Sequence, residues 1–93
     1  MEELISASGI NKQGIVREEV IDRLIHLFNR EIKESVRHNG KIKSVSLNTS
    51  LNNISVLNGA EIIHMEKIAL EKGFVFNSME DNYQTMTYSL TIL

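Results

Sequence analysis

The feature that most limits the possible folds is the segment from Leu57 to Phe76, which has the pattern of a helix leading directly into a strand. Asn58 is a favourable helix N-cap, and Glu61 three residues later completes the pattern of a capping box. Apolar residues then cover more than half of the helical circumference, so this helix is predicted to be largely buried. They are Ile62, Ile63, Met65, Ile68, Ala69 and Leu70. Gly73 suits the left-handed residue that follows a helix, and the next three residues have strand character.

A second amphipathic pattern precedes this segment and predicts a longer helix from Arg17 to His38. Its apolar residues recur at intervals of three and four positions, which places them on one helix face. They are Ile21, Leu24, Ile25, Phe28, Ile32 and Val36. Asn39 and Gly40 follow as a stop signal. A helix of about twenty residues is about 30 Å long, so we expect it to cross the whole domain.

Three segments are predicted to be strands. Lys41 to Leu47 alternates in part, and Phe74 to Phe76 follows the second helix directly. Thr85 to Leu93 alternates most clearly, with apolar residues on one face and threonine or serine on the other. Such a strand is typical of a sheet that has one side in water.

The connecting segments are less regular. Met79 to Gln84 is polar and acidic, and it predicts a hairpin loop between the last two strands. Asn48 to Val56 is compatible with a loop or with a short helix, in which Leu51 and Ile54 would face inward. The predicted fold is therefore α+β, in the order α-β-α-β-β, with two helices on one face of a small, mainly antiparallel sheet. We predict a single domain over residues 17–93, preceded by an N-terminal arm over residues 1–16.

The composition is that of an ordinary globular chain. The 93 residues include no cysteine and carry a formal net charge of −2. Disulfides and cysteine-based metal sites are therefore excluded, and no strong field favours a nucleic acid or a membrane. No apolar run is long enough to span a bilayer, and the acidic start lacks the pattern of a signal peptide. These features predict a cytoplasmic protein.

No residue pattern indicates catalysis. The three histidines, His26, His38 and His64, have no second ligand at the spacing of a local metal site. The chain contains neither a nucleophile elbow nor a phosphate-binding glycine loop. We therefore predict that the protein is not an enzyme and binds no cofactor or metal.

The densest group of like charges lies in the last turns of the first predicted helix and just after it. It can be interpreted as a surface for an acidic protein partner or for nucleic-acid phosphates, and equally as helix-dipole complementation and solubility. Its members are Lys33, Arg37, His38, Lys41 and Lys43. Apolar residues of the arm and the acidic loop add further candidates for partner binding. The complete predicted set is Ile5, Ile10, Arg37, Lys41, Lys43, Glu80, Asp81 and Tyr83.

The sequence LEKGFV from Leu70 to Val75 is followed by YSLT from Tyr88 to Thr91. Together they resemble the last helix and wing hairpin of winged-helix domains, a family that binds nucleic acids. The element order also fits if Thr49 to Val56 supplies a short helix. The chain departs from the family at the residues predicted to be exposed on the recognition helix, which are Glu61, His64, Glu66, Lys67 and Glu71. A helix that reads the major groove carries Arg, Lys, Asn or Gln instead.

A second pattern covers residues 20–93 and consists of HNGK at His38 to Lys41, SVSL at Ser44 to Leu47, and EKGFVF followed by a YxLxI terminal strand. It resembles small accessory proteins of bacteriophages and prophages. This resemblance implies a phage-encoded protein that acts in the host cytoplasm.

These observations predict a non-enzymatic protein-binding module that inhibits or redirects a bacterial host protein. The alternative is a winged-helix regulator that binds nucleic acid. Because an unpaired strand edge can pair with another chain, we also predict that the terminal strand offers a free edge for a partner or for self-association.

Overall fold

The computed structural model describes residues 14–80 and 85–93. Its elements are α1 (Glu18–Asn39), β1 (Ser44–Asn48), α2 (Gly59–Glu71), β2 (Phe74–Glu80) and β3 (Met86–Ile92). The predicted α+β class and the predicted element order are therefore confirmed.

Local signals explain where both helices begin and end. The Asn58 side chain accepts a hydrogen bond from the Glu61 backbone N–H, and the Glu61 carboxylate accepts one from the Asn58 N–H, each at 2.9 Å. This is the predicted capping box. Gly40 and Gly73 have φ angles of +77° and +85°, a region that glycine adopts without a steric cost. Both predicted helix stops are thus confirmed.

The three strands form an antiparallel sheet in the order β1-β3-β2. α1 packs over β1 and α2 packs over β2, so both helices lie on the same face of the sheet. On this face, Val45 is opposite Leu90 and Leu90 is opposite Phe76. The other face carries mostly serine, threonine and asparagine, as the alternation in β3 predicts.

The core joins the apolar face of each helix to the inner face of the sheet. Phe76 stacks on Tyr88 with ring centroids 5.7 Å apart and meets the edge of Phe28 at 6.4 Å. The Tyr88 hydroxyl accepts a hydrogen bond from the Leu57 N–H at 2.8 Å, so this buried phenol is satisfied. The buried apolar residues are Ile21, Leu24, Phe28, Val45, Leu47, Ile54, Leu57, Met65, Ala69, Phe76, Tyr88 and Leu90.

Several local predictions need correction. The second helix is less buried than its composition suggests, because Leu70 faces solvent and is 63% exposed. Of the two alternatives for Asn48 to Val56, the structure shows the loop, with turns at residues 49–53. Ile54 is buried, whereas Leu51, which the helix alternative would turn inward, is 87% exposed. β2 continues through Glu80, so the predicted loop begins later than expected.

The prediction that the terminal strand offers a free edge is wrong. β3 lies in the middle of the sheet and pairs along its length with β1 on one side and β2 on the other. Its backbone groups are therefore already hydrogen-bonded, and the outer edges of the sheet belong to β1 and β2. Self-association itself stays a prediction.

Of the predicted arm, residues 1–13 lie outside the described part of the chain, as do residues 81–84 of the predicted loop. The described end of the arm contacts the domain. Val16 packs against the core, and the Ile15 carbonyl accepts a hydrogen bond from the Asn58 side-chain amide at 3.0 Å.

Candidate protein-binding groove

An apolar groove of about 450 Å³ lies between the two helices. Phe74 and Leu90 of the sheet contribute to its lining, together with residues of both helices. The helix residues are Ile25, Phe28, Asn29 and Ile32 of α1 and Met65, Ile68, Ala69 and Lys72 at and after α2. Asn29 and Lys72 are the polar members of this lining.

The strand order explains why this groove is open. Each helix covers an edge strand, and the central strand β3 lies between them. Neither helix therefore passes directly over Leu90. Ile25, Ile32 and Ile68 turn toward the space above Leu90 and remain only partly buried. The wide apolar face of α1 thus includes residues that the domain itself does not fully cover.

Near the beginning of both helices, the chain is held together by a salt bridge between Arg17 and Glu61. Arg17 Nη2 lies 2.8 Å from Glu61 Oε1, and Arg17 Nε donates to Oε2 at 2.9 Å. The Arg17 backbone N–H also donates to Oε2 at 2.9 Å. Since the Asn58 N–H donates to Oε1, both carboxylate oxygens accept two hydrogen bonds.

The Glu61 side chain is fully buried, whereas the Arg17 side chain is 41% exposed. The hydrogen bonds from the Arg17 side chain lower the pKa of Glu61 from 4.5 to about 2, against the opposing effect of burial. The backbone donors of Asn58 and Arg17 contribute in the same direction. Glu61 is therefore a structural anion, and its predicted exposure on a recognition helix is wrong.

A row of basic side chains follows one side of α1. His26, Arg30, Lys33 and Arg37 recur at steps of four, three and four residues, which aligns them along the helix. They line a shallow surface depression together with Asn29 and Glu34. Because Asn29 lines both the depression and the apolar groove, the two surfaces adjoin. We call these four side chains the basic row.

One acidic residue partly neutralises the basic row. Glu34 Oε1 lies 3.7 Å from Arg37 Nη1, and both side chains are largely solvent-exposed. An exposed pair at this distance contributes little, about 0–1 kcal/mol. Arg30 and Lys33 form no ion pair with the other described residues. The basic row therefore keeps a net positive charge beside an apolar surface.

The structure does not bring the predicted partner-binding residues together. Arg37 belongs to the basic row, while Lys41 and Lys43 are exposed in the connection before β1. Glu80 is paired with Met86 at the beginning of β3. Lys43 lies at the other end of β3, where its carbonyl accepts a hydrogen bond from the Ile92 N–H. The remaining predicted residues, Ile5, Ile10, Asp81 and Tyr83, lie outside the described residues.

The sequence analysis missed the groove and the partner of Glu61. The width of the α1 apolar face, which extends to Ile25 and Ile32, was a signal that this face exceeds what one strand can cover. Arg17 carried no local signal, because 44 residues separate it from Glu61.

Residues 14–80 and 85–93 contain no cluster of three or more His, Asp or Glu side chains arranged to hold a metal ion. Neither α1 nor α2 combines the length and the apolar character that a bilayer-crossing helix requires.

No family model, no curated protein and no solved structure matches the chain.

Proposed function

We propose that the protein is a non-enzymatic protein-binding module. Its groove takes apolar side chains from a partner segment that also carries acidic residues. The observation that supports this most directly is an open apolar groove of about 450 Å³ that adjoins a row of basic side chains.

The lining of the groove is better suited to apolar side chains of a protein partner than to a small-molecule ligand. Sites for small molecules usually combine an apolar wall with several converging polar groups. Here the polar lining consists of Asn29 and Lys72, which belong to different helices. An amphipathic helix instead places apolar anchors at i, i+3, i+4 and i+7 into such a groove.

Charge supports an acidic partner. The flank of the groove on α1 carries Arg30 and Lys33 without ion-pair partners among the described residues, and Lys72 stands on the α2 side. Opposite charge at the rim of an interface increases the association rate and the selectivity for a partner. A partner helix with apolar anchors and flanking Asp or Glu would satisfy both surfaces.

We extend the proposal to a phage-encoded module that inhibits or redirects a bacterial host protein in the host cytoplasm. This part rests on the resemblance of residues 20–93 to phage accessory proteins. The winged-helix alternative has less support, because Thr49–Asn53 forms turns where that fold would need a helix.

The test is a selection of random peptides, several helical turns long, against the immobilised protein. We expect enriched peptides to combine large apolar residues at helical spacing with a net negative charge. Asn29→Trp should abolish their binding, because a bulky exposed side chain at the rim would cover the groove without removing a core contact. Glu31→Trp adds the same bulk at an exposed position of α1 outside the groove and should leave binding intact.

Charge reversal provides the second readout. The double variant Arg30→Glu, Lys33→Glu should weaken the selected acidic peptides, and the loss should shrink as salt is raised because these charges are exposed. Lys41→Glu is the matched control, since Lys41 is exposed but lines neither surface. Peptides without an acidic bias, or binding unaffected by Asn29→Trp, would contradict the proposal. A randomised DNA duplex pool that enriches a defined sequence, lost on Lys67→Glu, would support the winged-helix regulator instead.

A further inference from the structure

The sheet has two outer edges, and they differ in how well they are protected. β1 has five residues, and the N–H of its last residue, Asn48, already donates to the Asn52 side chain at 2.9 Å. β2 has seven residues, and no described residue pairs with its outer edge. Natural edge strands are usually protected by proline, by a bulge or by charged side chains, most often lysine. β2 has no proline, lysine or bulge, its single charged residue is Glu80 at its last position, and its register with β3 is continuous.

The hydrogen bonds to β3 show which backbone groups of β2 point outward. The Leu93 N–H donates to the Gly73 carbonyl, so residue 73 forms a hydrogen-bonded pair with β3. In an antiparallel ladder, hydrogen-bonded pairs alternate with non-hydrogen-bonded pairs. The backbone N–H and C=O groups of the odd-numbered residues of β2 therefore face β3. The N–H and C=O groups of Phe74, Phe76, Ser78 and Glu80 therefore point to the unpaired edge.

Apolar side chains border this edge on both faces of the sheet. On the open face, Val75 is 39% exposed and Met79 is 71% exposed. On the helix face, a groove of about 400 Å³ lies between α2 and β2, and Leu70, which is 63% exposed, lines it. An unpaired backbone edge with apolar borders is a surface that favours association.

We propose that β2 pairs with β2 of a second copy of this chain, antiparallel and about a two-fold axis at Asn77. Because identical strands related by a two-fold axis run antiparallel, this register aligns all seven residues of both strands. Phe76 then forms hydrogen-bonded pairs with Ser78 of the second copy, and Phe74 with Glu80. These are the residues whose backbone groups point outward, so the two edges complement each other and the sheets join.

The side chains are complementary in the same register. Val75 lies opposite Met79 of the second copy on the open face, which pairs two exposed apolar residues. Glu80 of the second copy lies opposite Phe74 on the helix face, beside the groove that both Lys67 and Glu66 line. Neither Glu80 nor Lys67 has an ion-pair partner among the described residues. The groove between the helices lies on the other side of α2 and stays open in this dimer.

The first test compares two proline variants. At Ser78 the N–H points to the outer edge of β2, so Ser78→Pro removes a donor to the second copy while leaving the ladder to β3 intact. The Lys43 carbonyl and the Thr49 N–H both form hydrogen bonds with β3, so the backbone groups of the odd-numbered residues of β1 face β3. The N–H of Ser46, an even-numbered residue, therefore points to the outer edge of β1. Light scattering across a dilution series should give twice 10.6 kDa for the wild type and for Ser46→Pro, and 10.6 kDa for a folded Ser78→Pro. A monomeric wild type, or a dimer that survives Ser78→Pro, would overturn the proposal.

The second test uses the absence of cysteine and does not depend on the folding of the proline variant. Asn77→Cys places two cysteines opposite each other in a non-hydrogen-bonded pair, with Cα atoms about 4.5 Å apart, which a disulfide can bridge. Val75→Cys introduces a cysteine at another exposed position of β2. In the proposed dimer it would lie opposite residue 79 of the second copy, too far from the cysteine at position 75 of that copy for a disulfide. In a glutathione redox buffer, Asn77→Cys should form a covalent dimer and Val75→Cys should not. Equal cross-linking of both variants, or none, would refute the register.

Discussion

Replacing Glu61 by glutamine tests the buried salt bridge directly. The carboxylate accepts four hydrogen bonds, two on each oxygen, from Arg17 and from the Asn58 N–H. A glutamine amide has the same shape but replaces one acceptor by an NH₂ donor. Two of the four donors would therefore face another donor inside the protein.

The magnitude follows from the pKa of Glu61. Folding lowers this pKa from 4.5 to about 2, so the folded state prefers the ionised carboxyl over the neutral one. At about 1.4 kcal/mol for each pH unit, this preference is worth about 3 kcal/mol at neutral pH. Glutamine resembles the neutral carboxyl, so Glu61→Gln should lower the free energy of unfolding by about 3 kcal/mol at pH 7. That is a large part of the roughly 5–14 kcal/mol expected for a domain of this size.

The pH dependence gives the decisive readout. Because the folded pKa lies below the unfolded one, the stabilisation is fully present above pH 4.5 and is lost as the pH falls toward 2. Urea denaturation should therefore show a gap of about 3 kcal/mol between wild type and Glu61→Gln at pH 7, and this gap should narrow steadily below pH 4.5.

Glu66→Gln is the matched control for this experiment. It makes the same substitution at an exposed position of α2 and should change stability by less than about 0.5 kcal/mol. A loss below 1 kcal/mol for Glu61→Gln at pH 7, or a gap that is constant with pH, would refute the structural role assigned to this carboxylate.

Two further substitutions test the packing around Tyr88 and Phe28. Tyr88→Phe removes the acceptor of the buried Leu57 N–H and should cost about 1–3 kcal/mol, seen as a lower urea midpoint with an unchanged m-value; an unchanged midpoint would show that this hydrogen bond contributes nothing. Phe28→Ala opens a cavity beneath the groove and should cost about 3–5 kcal/mol, measured by thermal melting, whereas Leu51→Ala at an 87% exposed site should change stability by less than about 0.5 kcal/mol. Similar melting temperatures for these two alanine variants would contradict the assigned core.

The sequence by itself determined the elements of this protein and most of its core. Helix ends depend on residues that are close in the chain, such as Asn58 with Glu61, or Gly40 and Gly73 with the turn before each. The strand β3 was evident because alternation is also a local property. Of the residues on the predicted apolar faces of the helices, Phe28 and Met65 are buried, while Ile25 and Ile32 are partly buried and pack against the core.

Only the tertiary structure decided the strand order, the burial of Glu61 and the opening of the groove. Hydrophobic periodicity shows which face of an element is apolar, but not which neighbour covers it. Because β3 lies between β1 and β2, the edge predicted for the terminal strand is paired, and the outer edge of β2 has no strand partner among residues 14–80 and 85–93. Glu61 can be buried because Arg17, 44 residues away in the chain, forms hydrogen bonds and a salt bridge with its carboxylate. A local sequence pattern does not indicate a contact between residues so far apart. The groove exists because the two helices pack over the edge strands and leave a gap between them above Leu90, which is a property of the assembled fold.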